Sequence, residues 1–131
     1  MPFCNWLMSK LKDFEILKEY AVFRPTGQVF LDRAVEIVTD AIAYARSLNI
    51  RKLLIDITNL TGFESPDVTT RYYIIHEWGR AAEKRLRVAI VAKPEIIDPH
   101  KFGTTVASNI GFKADIFTTE EDALNWLESF K

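Results

Sequence analysis

The feature that most constrains the fold is an amphipathic helix pattern followed at once by a short apolar run. Apolar residues recur at helical spacing through 31–49, with charged and polar residues on the opposite face. Residues 52–57 then have the sequence Lys-Leu-Leu-Ile-Asp-Ile, which is typical of a strand buried on both faces. Strands that alternate with helices need a mostly parallel sheet, so this pattern predicts an α/β domain.

The alternation continues to the end of the chain. Ser65 offers an N-cap hydroxyl, Pro66 suits a first helical turn, and Asp67 suits the positive end of a helix, so a helix is expected over 66–84. A second buried strand is expected at 87–92. Asp98-Pro99 repeats the cap and proline signal and opens a shorter helix that Gly111 closes.

The last elements are a strand ending at 116–117 and a helix opened by Thr118-Thr119-Glu120-Glu121, which matches a capping box. At the start of the chain, 14–17 and 20–24 are expected to be strands that pair antiparallel, followed by a turn at 25–27. The predicted fold class is α/β, with a single mostly parallel (mixed) sheet of about 4–5 strands flanked by about 4 helices.

A chain of 131 residues fits one domain, which we place at 12–131 after an extension at 1–11. Phe3, Trp6, Leu7 and Leu11 could line one face of a short helix there. That face is expected to pack on the domain or on a second subunit, which makes a homodimer an open alternative. A membrane-surface anchor is the other alternative, although such anchors are usually richer in Lys and Arg.

Charge and cysteine content exclude several classes of protein. The 17 basic and 18 acidic residues give a net charge of −1, so nothing in the overall charge favours a nucleic acid partner. No apolar run approaches the roughly 20 residues of a transmembrane helix. Cys4 is the only cysteine and residues 1–17 lack a secretory pattern, so we expect a cytoplasmic protein.

The sequence contains no pattern that predicts catalysis. His76 and His100 are separated by a helix and a strand and have no cysteine cluster nearby, so no metal site is expected. The five glycines are too scattered for a phosphate-binding loop. There is no Gly-x-Ser-x-Gly motif, and Ser65 has no evident general base. We therefore expect a protein that is not an enzyme, without catalytic residues, metal or cofactor.

Polar side chains follow the predicted parallel strands where ligand crevices of such sheets open. Thr58, Asn59 and Ser65 come after the strand at 52–57, and Lys93 follows the strand at 87–92. A small polar ligand would be expected at this edge. The same residues also suit ordinary turns and caps.

The stretch 54–65, Leu-Ile-Asp-Ile-Thr-Asn-Leu-Thr-Gly-Phe-Glu-Ser, resembles the signature of the STAS domain family, which includes sporulation anti-sigma-factor antagonists and the cytoplasmic tails of sulfate transporters. Gly27-Gln28-Val29 is similar to the segment before the family's first long helix. Lys93-Pro94-Glu95, Lys101-Phe102-Gly103 and the final Ala123-Leu124-x-Trp126-Leu127 resemble an uncharacterised antagonist-like branch described as STAS and Sec14-like.

The resemblance implies a non-enzymatic module that regulates a protein partner through the loop and helix start at 58–70, with Asn59, Ser65 and Thr69 at its surface. Ser65 matches the serine that the antagonists phosphorylate to switch partners. Pro66 and Asp67 replace a serine and a glycine of the family pattern, and Ser65 would also serve as a plain N-cap. The helix-cap and phosphosite interpretations both stay open.

The Sec14-like side of the resemblance implies an alternative, a carrier or sensor of a small apolar ligand or lipid. Tyr72, Tyr73 and Trp78 would line its pocket. Aromatic residues at this spacing are also typical of a helix that packs on a core.

Overall fold

The computed structural model describes residues 11–130. The prediction of a short helix in the extension falls on residues outside this range, apart from Leu11, which packs against the core. Residues 11–130 form seven strands and four α-helices, with a 3₁₀ turn at Pro94–Ile96. In chain order these are β1 Phe14–Ile16, β2 Ala21–Phe23, β3 Gly27–Gln28, α1 Leu31–Ser47, β4 Lys52–Asp56, β5 Leu60–Thr61, α2 Val68–Ala82, β6 Arg87–Val91, α3 Phe102–Asn109, β7 Ala114–Phe117 and α4 Glu120–Glu128.

The main sheet has five strands in the order β1-β2-β4-β6-β7. β1 pairs antiparallel with β2, and every other neighbouring pair is parallel, which confirms the predicted mixed sheet. We call the side where β2, β4, β6 and β7 end the carboxyl edge, and the side where they begin the amino edge.

A second, two-stranded sheet was not predicted. β3 pairs parallel with β5, with Gly27 opposite Leu60 and Gln28 opposite Thr61. The pairing continues through a bond from the Val29 amide to the Thr61 carbonyl at 2.8 Å. It joins the segment before α1 to the segment after β4. The sequence predicts a turn at Gly27, because strands of two residues carry no recognisable alternation.

The core lies on both faces of the main sheet. On one face α1, α2 and α3 pack on the sheet through side chains such as Ile42, Trp78 and Ala107. On the other face α4 is the one helix of residues 11–130 that packs on the sheet, through Ala123 and Leu127, against a smaller cluster. Each fully buried aliphatic side chain contributes about 1.5–3 kcal/mol to folding, and this burial holds the helices on the sheet.

Two predicted helix starts are wrong. α2 begins at Val68, not Pro66, because the Asp67 side chain is its N-cap and accepts from the Thr70 amide at 2.8 Å. The Ser65 hydroxyl lies outside the helix. α3 begins at Phe102, although Asp98 still accepts from the Phe102 amide at 2.7 Å from outside the helix.

His100 accordingly precedes α3 and does not lie in its first turn. The last helix is capped one residue later than the predicted box, since the Thr119 hydroxyl, and not that of Thr118, accepts from the Asp122 amide at 3.1 Å. Within residues 11–130, none of the helices combines the length and the apolar character needed to span a bilayer.

Candidate functional site

The predicted site residues all follow strands at the carboxyl edge or lie in the connections that leave it. Thr58 and Asn59 come directly after β4, and Lys93 follows β6 and precedes the 3₁₀ turn. Ser65 lies in the connection to α2, and Thr69 is exposed in the first turn of that helix. Asn59, Ser65 and Lys93 are also exposed, whereas Thr58 is half-buried.

Ser65 lies in a small network that the sequence did not reveal. Its hydroxyl donates to the Ile96 carbonyl at 2.9 Å and accepts from Arg71 Nη2 at 2.7 Å. The same guanidinium nitrogen donates to the Pro66 carbonyl at 3.1 Å. Ser65 therefore ties the start of α2 to the 3₁₀ turn. This engagement is the physical reason that Asp67, and not Ser65, caps α2.

Arg71 is the charged member of this network. Burial lowers the pKa of its guanidinium, and the nearby Asp98 carboxylate partly opposes that shift. Among residues 11–130, no carboxylate lies within ion-pair distance of Arg71. A negative group on Ser65 would thus meet a half-buried cation whose charge nothing else in the described chain pairs. Arg71 is six positions beyond Ser65, on the next element, so the motif around Ser65 gave no signal for it.

A second polar network ties β2, β4 and α4 together at the same edge. Arg24 makes a bidentate ion pair with Glu120, with Nε to Oε2 at 2.8 Å and Nη2 to Oε1 at 2.9 Å. Next to it, Thr58 donates to Asp56 Oδ1 from its hydroxyl at 2.6 Å and from its amide at 2.9 Å. The two halves of the ion pair are 96 residues apart, so spacing along the sequence could not predict it.

The two carboxyl groups of this network have pKa values shifted in opposite directions. Burial is the main reason that the pKa of Asp56 is raised, and its contact with the Glu120 carboxylate adds to the shift. The hydrogen bonds from Arg24 are the main reason that the pKa of Glu120 falls to about 2. This difference means that Asp56 is the group that takes up a proton first when the pH falls.

An apolar cavity of about 90 Å³ lies between α1, α2, α3 and the main sheet. Its wall includes Leu31, Val35, Ile74, Trp78, Ile97 and Phe112. Arg71 is one of the few charged residues that line it, so the cavity and the Ser65 network share a side chain. The cavity is a concave, mostly apolar space of the kind that holds small ligands.

The prediction of an aromatic lining holds for Trp78 alone. Tyr72 and Tyr73 do not line the cavity; they are exposed on α2, where Tyr72 stacks with His76 at a ring distance of 4.4 Å. Helical spacing did not separate the buried from the exposed face here, because the two tyrosines are adjacent and Trp78 lies on a different side of the helix.

Exposed apolar side chains surround the starts of α1 and α2. Phe30, next to the start of α1, is 81% exposed, and Val68, the first residue of α2, is 59% exposed. Tyr72 and Tyr73 continue this apolar surface along α2. Within the described range, no three His, Cys, Asp or Glu side chains are placed to hold a metal ion.

Comparison with known proteins identifies the fold. No family model matches the sequence, and no curated protein sequence matches it. Among solved structures, the chain is similar to an anti-sigma factor antagonist from Mycobacterium paratuberculosis, with a TM-score of 0.56 and 17% identity over 88% of this chain and 91% of that one. It is also similar to the anti-sigma factor antagonist SpoIIAA in its unphosphorylated form, with a TM-score of 0.50 and 17% identity over 89% of this chain and 97% of that one. The protein therefore has the STAS-like fold of the anti-sigma factor antagonists, as the resemblance implied.

Proposed function

We propose that the protein is a non-enzymatic regulatory module that binds another protein through its carboxyl edge and is switched at Ser65. The structural neighbours are named as antagonists of anti-sigma factors, so a protein of the anti-sigma factor class is the proposed partner. The observation that carries the proposal is the contact of the exposed Ser65 hydroxyl with Arg71 Nη2 at 2.7 Å.

The proposed partner surface combines polar and apolar groups. Asn59, Ser65 and Thr69 supply hydrogen-bonding groups, and Phe30, Val68 and Tyr73 supply exposed apolar area at the same edge. Exposed apolar groups rimmed by polar ones are typical of protein interaction sites. Lys93 contributes a positive charge beside the 3₁₀ turn.

A phosphate on Ser65 would change this surface in two ways. It would remove the hydroxyl proton that is donated to the Ile96 carbonyl, which loosens the link between α2 and the 3₁₀ turn. It would also place about −1.5 to −2 charges beside Arg71, where charge-assisted hydrogen bonds can form. The Glu64 and Asp67 carboxylates would repel it, and Asp67 stays ionised because the hydrogen bond from the Thr70 amide lowers its pKa. Phosphorylation would therefore rearrange the start of α2.

The test uses the partner recovered from the source cell with the full-length chain, followed by affinity measurements with purified variants. Ser65→Asp is expected to weaken binding by about tenfold or more, and Asn59→Ala combined with Thr69→Ala by a similar factor. Ser108→Asp is the matched control, because Ser108 is exposed on α3 and outside the proposed surface. It should stay within about twofold of the wild type.

Equal affinities for Ser65→Asp and Ser108→Asp would contradict the switch. A partner that binds the Asn59 and Thr69 variant as well as the wild type would contradict the surface. Thermal unfolding of each variant shows whether a loss of binding reflects a loss of fold. The expected cytoplasmic location, which rests on the single cysteine and on the lack of a secretory pattern in residues 1–17, stays a prediction.

The apolar cavity supports a second candidate, a sensor of a small apolar ligand. Its volume of about 90 Å³ is smaller than the engineered cavity of roughly 150 Å³ that binds benzene. A lipid acyl chain is therefore too large for this cavity, and a ligand with a compact apolar group is the form that the space favours. Arg71 could meet an anionic group of such a ligand, and this would couple the cavity to Ser65.

Small apolar probes test this candidate directly. Benzene should raise the melting temperature of the wild type more than the larger toluene and indole do, and Ala34→Leu, which adds atoms at the cavity wall, should abolish the shift. A native protein whose organic extract is empty, together with no shift from any probe, would contradict the sensor.

A further inference from the structure

The amino edge brings together segments that are far apart in the sequence. Ile16 pairs with Ala21, Ala21 with Leu53, and Leu53 with Val88. The Val88 amide donates to the Lys113 carbonyl at 3.0 Å. The β1–β2 turn and the starts of β4, β6 and β7 therefore lie level with one another along one end of the sheet.

Basic residues are concentrated at this end. There are nine basic and three acidic residues in the β1–β2 turn, at the ends of α1, α2 and α4, and at the starts of β4, β6 and β7. Because the whole chain has a net charge of −1, the rest of the protein carries an excess of acid. The basic residues are Lys18, Arg46, Arg51, Lys52, Arg80, Lys84, Arg85, Arg87 and Lys113, and the acidic ones are Glu19, Glu83 and Glu128.

Some of these cations have structural roles. Arg46 donates to the Ala81 carbonyl at 2.7 Å and pairs with Glu83, and Lys52 donates to the Phe130 carbonyl at 2.6 Å. Others are uncommitted within residues 11–130. These are the exposed side chains of Lys18, Arg51, Lys84 and Lys113, which make no hydrogen bond or ion pair there.

Lys84 lies next to the start of β7. A Cβ placed on Gly111 would be 3.1 Å from Lys84 Cε, so the lysine stem crosses the turn that leads to Lys113. Arg51 begins the neighbouring β4 region, and the Arg87 amide donates to its carbonyl at 2.8 Å. Arg51 precedes β4, Lys113 precedes β7 and Lys84 lies in the connection before β6, so these three cations form a row along the amino edge.

Exposed aliphatic side chains accompany the row. Ile16 is 58% exposed, Leu17 is 37% exposed and Leu48 is 43% exposed. Leu17 is in the β1–β2 turn and Leu48 is the C-cap of α1, so all three lie at the amino edge. A nucleic acid backbone attracts cations but does not bury aliphatic groups. The boundary between lipid headgroups and acyl chains does both.

We propose that the amino edge docks on an anionic lipid surface. Arg51, Lys84 and Lys113 meet the headgroups, while Leu17 and Leu48 enter the boundary region. The proposal does not depend on the proposed function. In this orientation the carboxyl edge, which lies at the other end of the strands, faces away from the membrane and stays accessible to a protein partner.

Sedimentation with vesicles of phosphatidylcholine, with and without about 30% phosphatidylserine, tests the proposal at about 0.1 M salt. The wild type should bind vesicles that contain phosphatidylserine at least about tenfold more tightly than vesicles of phosphatidylcholine alone. Each basic residue near the surface is worth about fivefold in binding, so Arg51→Gln combined with Lys113→Gln should weaken binding by about 25-fold. Lys12→Gln combined with Arg33→Gln, which removes the same charge near the carboxyl edge, should change it by less than about twofold.

A second pair of substitutions separates lipid from nucleic acid. Leu17→Ser combined with Leu48→Ser should weaken vesicle binding by about fivefold or more and leave binding to a short DNA duplex unchanged. Both leucines are partly exposed, so the variant is expected to fold, and circular dichroism with urea unfolding verifies it.

Four outcomes would overturn the proposal. One is equal binding of the wild type to vesicles with and without phosphatidylserine. Another is a loss of vesicle affinity in the Lys12 and Arg33 control as large as that in the Arg51 and Lys113 variant. Retained vesicle binding by the Arg51 and Lys113 variant would move the contact elsewhere, such as to residues 1–10. DNA binding tighter than vesicle binding, with no effect of the leucine changes, would identify nucleic acid as the ligand. The affinity of the Arg51 and Lys113 variant for its protein partner should be unchanged, which keeps this test separate from that of the proposed function.

Discussion

The two ends of the main sheet differ in how their charged side chains are bonded. At the carboxyl edge, charged and polar side chains bond to one another, as in the Arg24–Glu120 pair and the contact of Arg71 with Ser65. At the amino edge, Arg51 and Lys113 extend from the strand starts without a partner in the described chain. An internally bonded network fixes a local shape, which suits recognition of one protein. Cations without a partner in the protein are attracted by the negative potential of a binding partner, and this attraction depends little on the shape of the partner's surface.

The largest expected difference between the edges comes from two glycines. Gly62 at the carboxyl edge and Gly111 at the amino edge both have positive φ, at +101° and +77°. A Cβ on Gly62 would lie 2.6 Å from the Val29 carbonyl oxygen, whereas on Gly111 it would meet the flexible end of Lys84. Gly62→Ala should destabilise the protein by about 2–4 kcal/mol, and Gly111→Ala by about 1 kcal/mol.

Urea unfolding of the two variants gives both free energies. Gly103→Ala is a control on a helix, because its Cβ would make only ordinary contacts at 3.5 Å. Equal losses for the two substitutions would show that backbone conformation alone, and not the contact with Val29, sets the cost at Gly62.

A smaller effect is expected for Arg87, which has a structural role at the amino edge. Its guanidinium lies 3.7 Å from the centre of the Phe130 ring, and such a contact contributes about 0.5–1 kcal/mol. Arg87→Met should lower the free energy of unfolding by about this amount. Arg85→Met is the matched control, since within residues 11–130 the Arg85 guanidinium contacts only Glu83, at 4.0 Å. If Arg85→Met lowered the free energy of unfolding as much as Arg87→Met, the contact with the Phe130 ring would not be stabilising.

The smallest effects, and the most specific, are pH-dependent changes at the carboxyl edge. The folded pKa of Asp56 is raised, so its contribution to stability is full at low pH and is lost as the pH rises through that pKa. Asp56→Asn removes this loss and keeps an acceptor for Thr58. It should stabilise the protein by under about 1 kcal/mol near pH 7, with no difference near pH 3.

The pKa shift of Glu120, and therefore the pH dependence of its contribution to stability, has the opposite sign to that of Asp56. Because its folded pKa is lowered from 4.5 to about 2, its contribution is present above pH 4.5 and is lost as the pH falls towards 2. Glu120→Gln should therefore destabilise near neutral pH and converge with the wild type in acid. The pair with Arg24 is partly exposed, so the effect should be under about 1 kcal/mol. Differences of the same sign for Asp56→Asn and Glu120→Gln at pH 7 would contradict the assignment.

The order of the elements in the main sheet could be predicted because it rests on local signals. The helix at Leu31–Ser47 and the strand at Lys52–Asp56 follow from periodicity and run length, which act within a few residues. The antiparallel pairing of β1 with β2 follows from a short connection. The β3–β5 pairing could not be predicted, since two-residue strands gain their bonds from chain segments more than 30 residues apart.

The position of the candidate site could be predicted from the sequence, but the hydrogen-bond partners and the pKa values of its side chains could not. The edge that carries Ser65 and Lys93 follows from where parallel strands end. The choice between Ser65 and Asp67 as helix cap depended on what else each side chain could bond. Ser65 is held by Ile96 and Arg71, neither of which its local motif specifies. The shifted pKa values of Asp56 and Glu120 likewise need the folded chain.

The β3–β5 pair has a consequence for how freely this edge can vary between related sequences. Its two segments are joined by backbone groups, such as the Gly27 amide with the Asn59 carbonyl at 3.1 Å, and backbone bonds place few demands on side-chain identity. The exceptions are Gly27 and Gly62, whose φ values of +125° and +101° favour glycine, and a Cβ on Gly62 would also meet the Val29 oxygen. The surrounding loop positions can therefore diversify while the scaffold is kept, and new binding specificities could be selected or engineered there without redesigning the core.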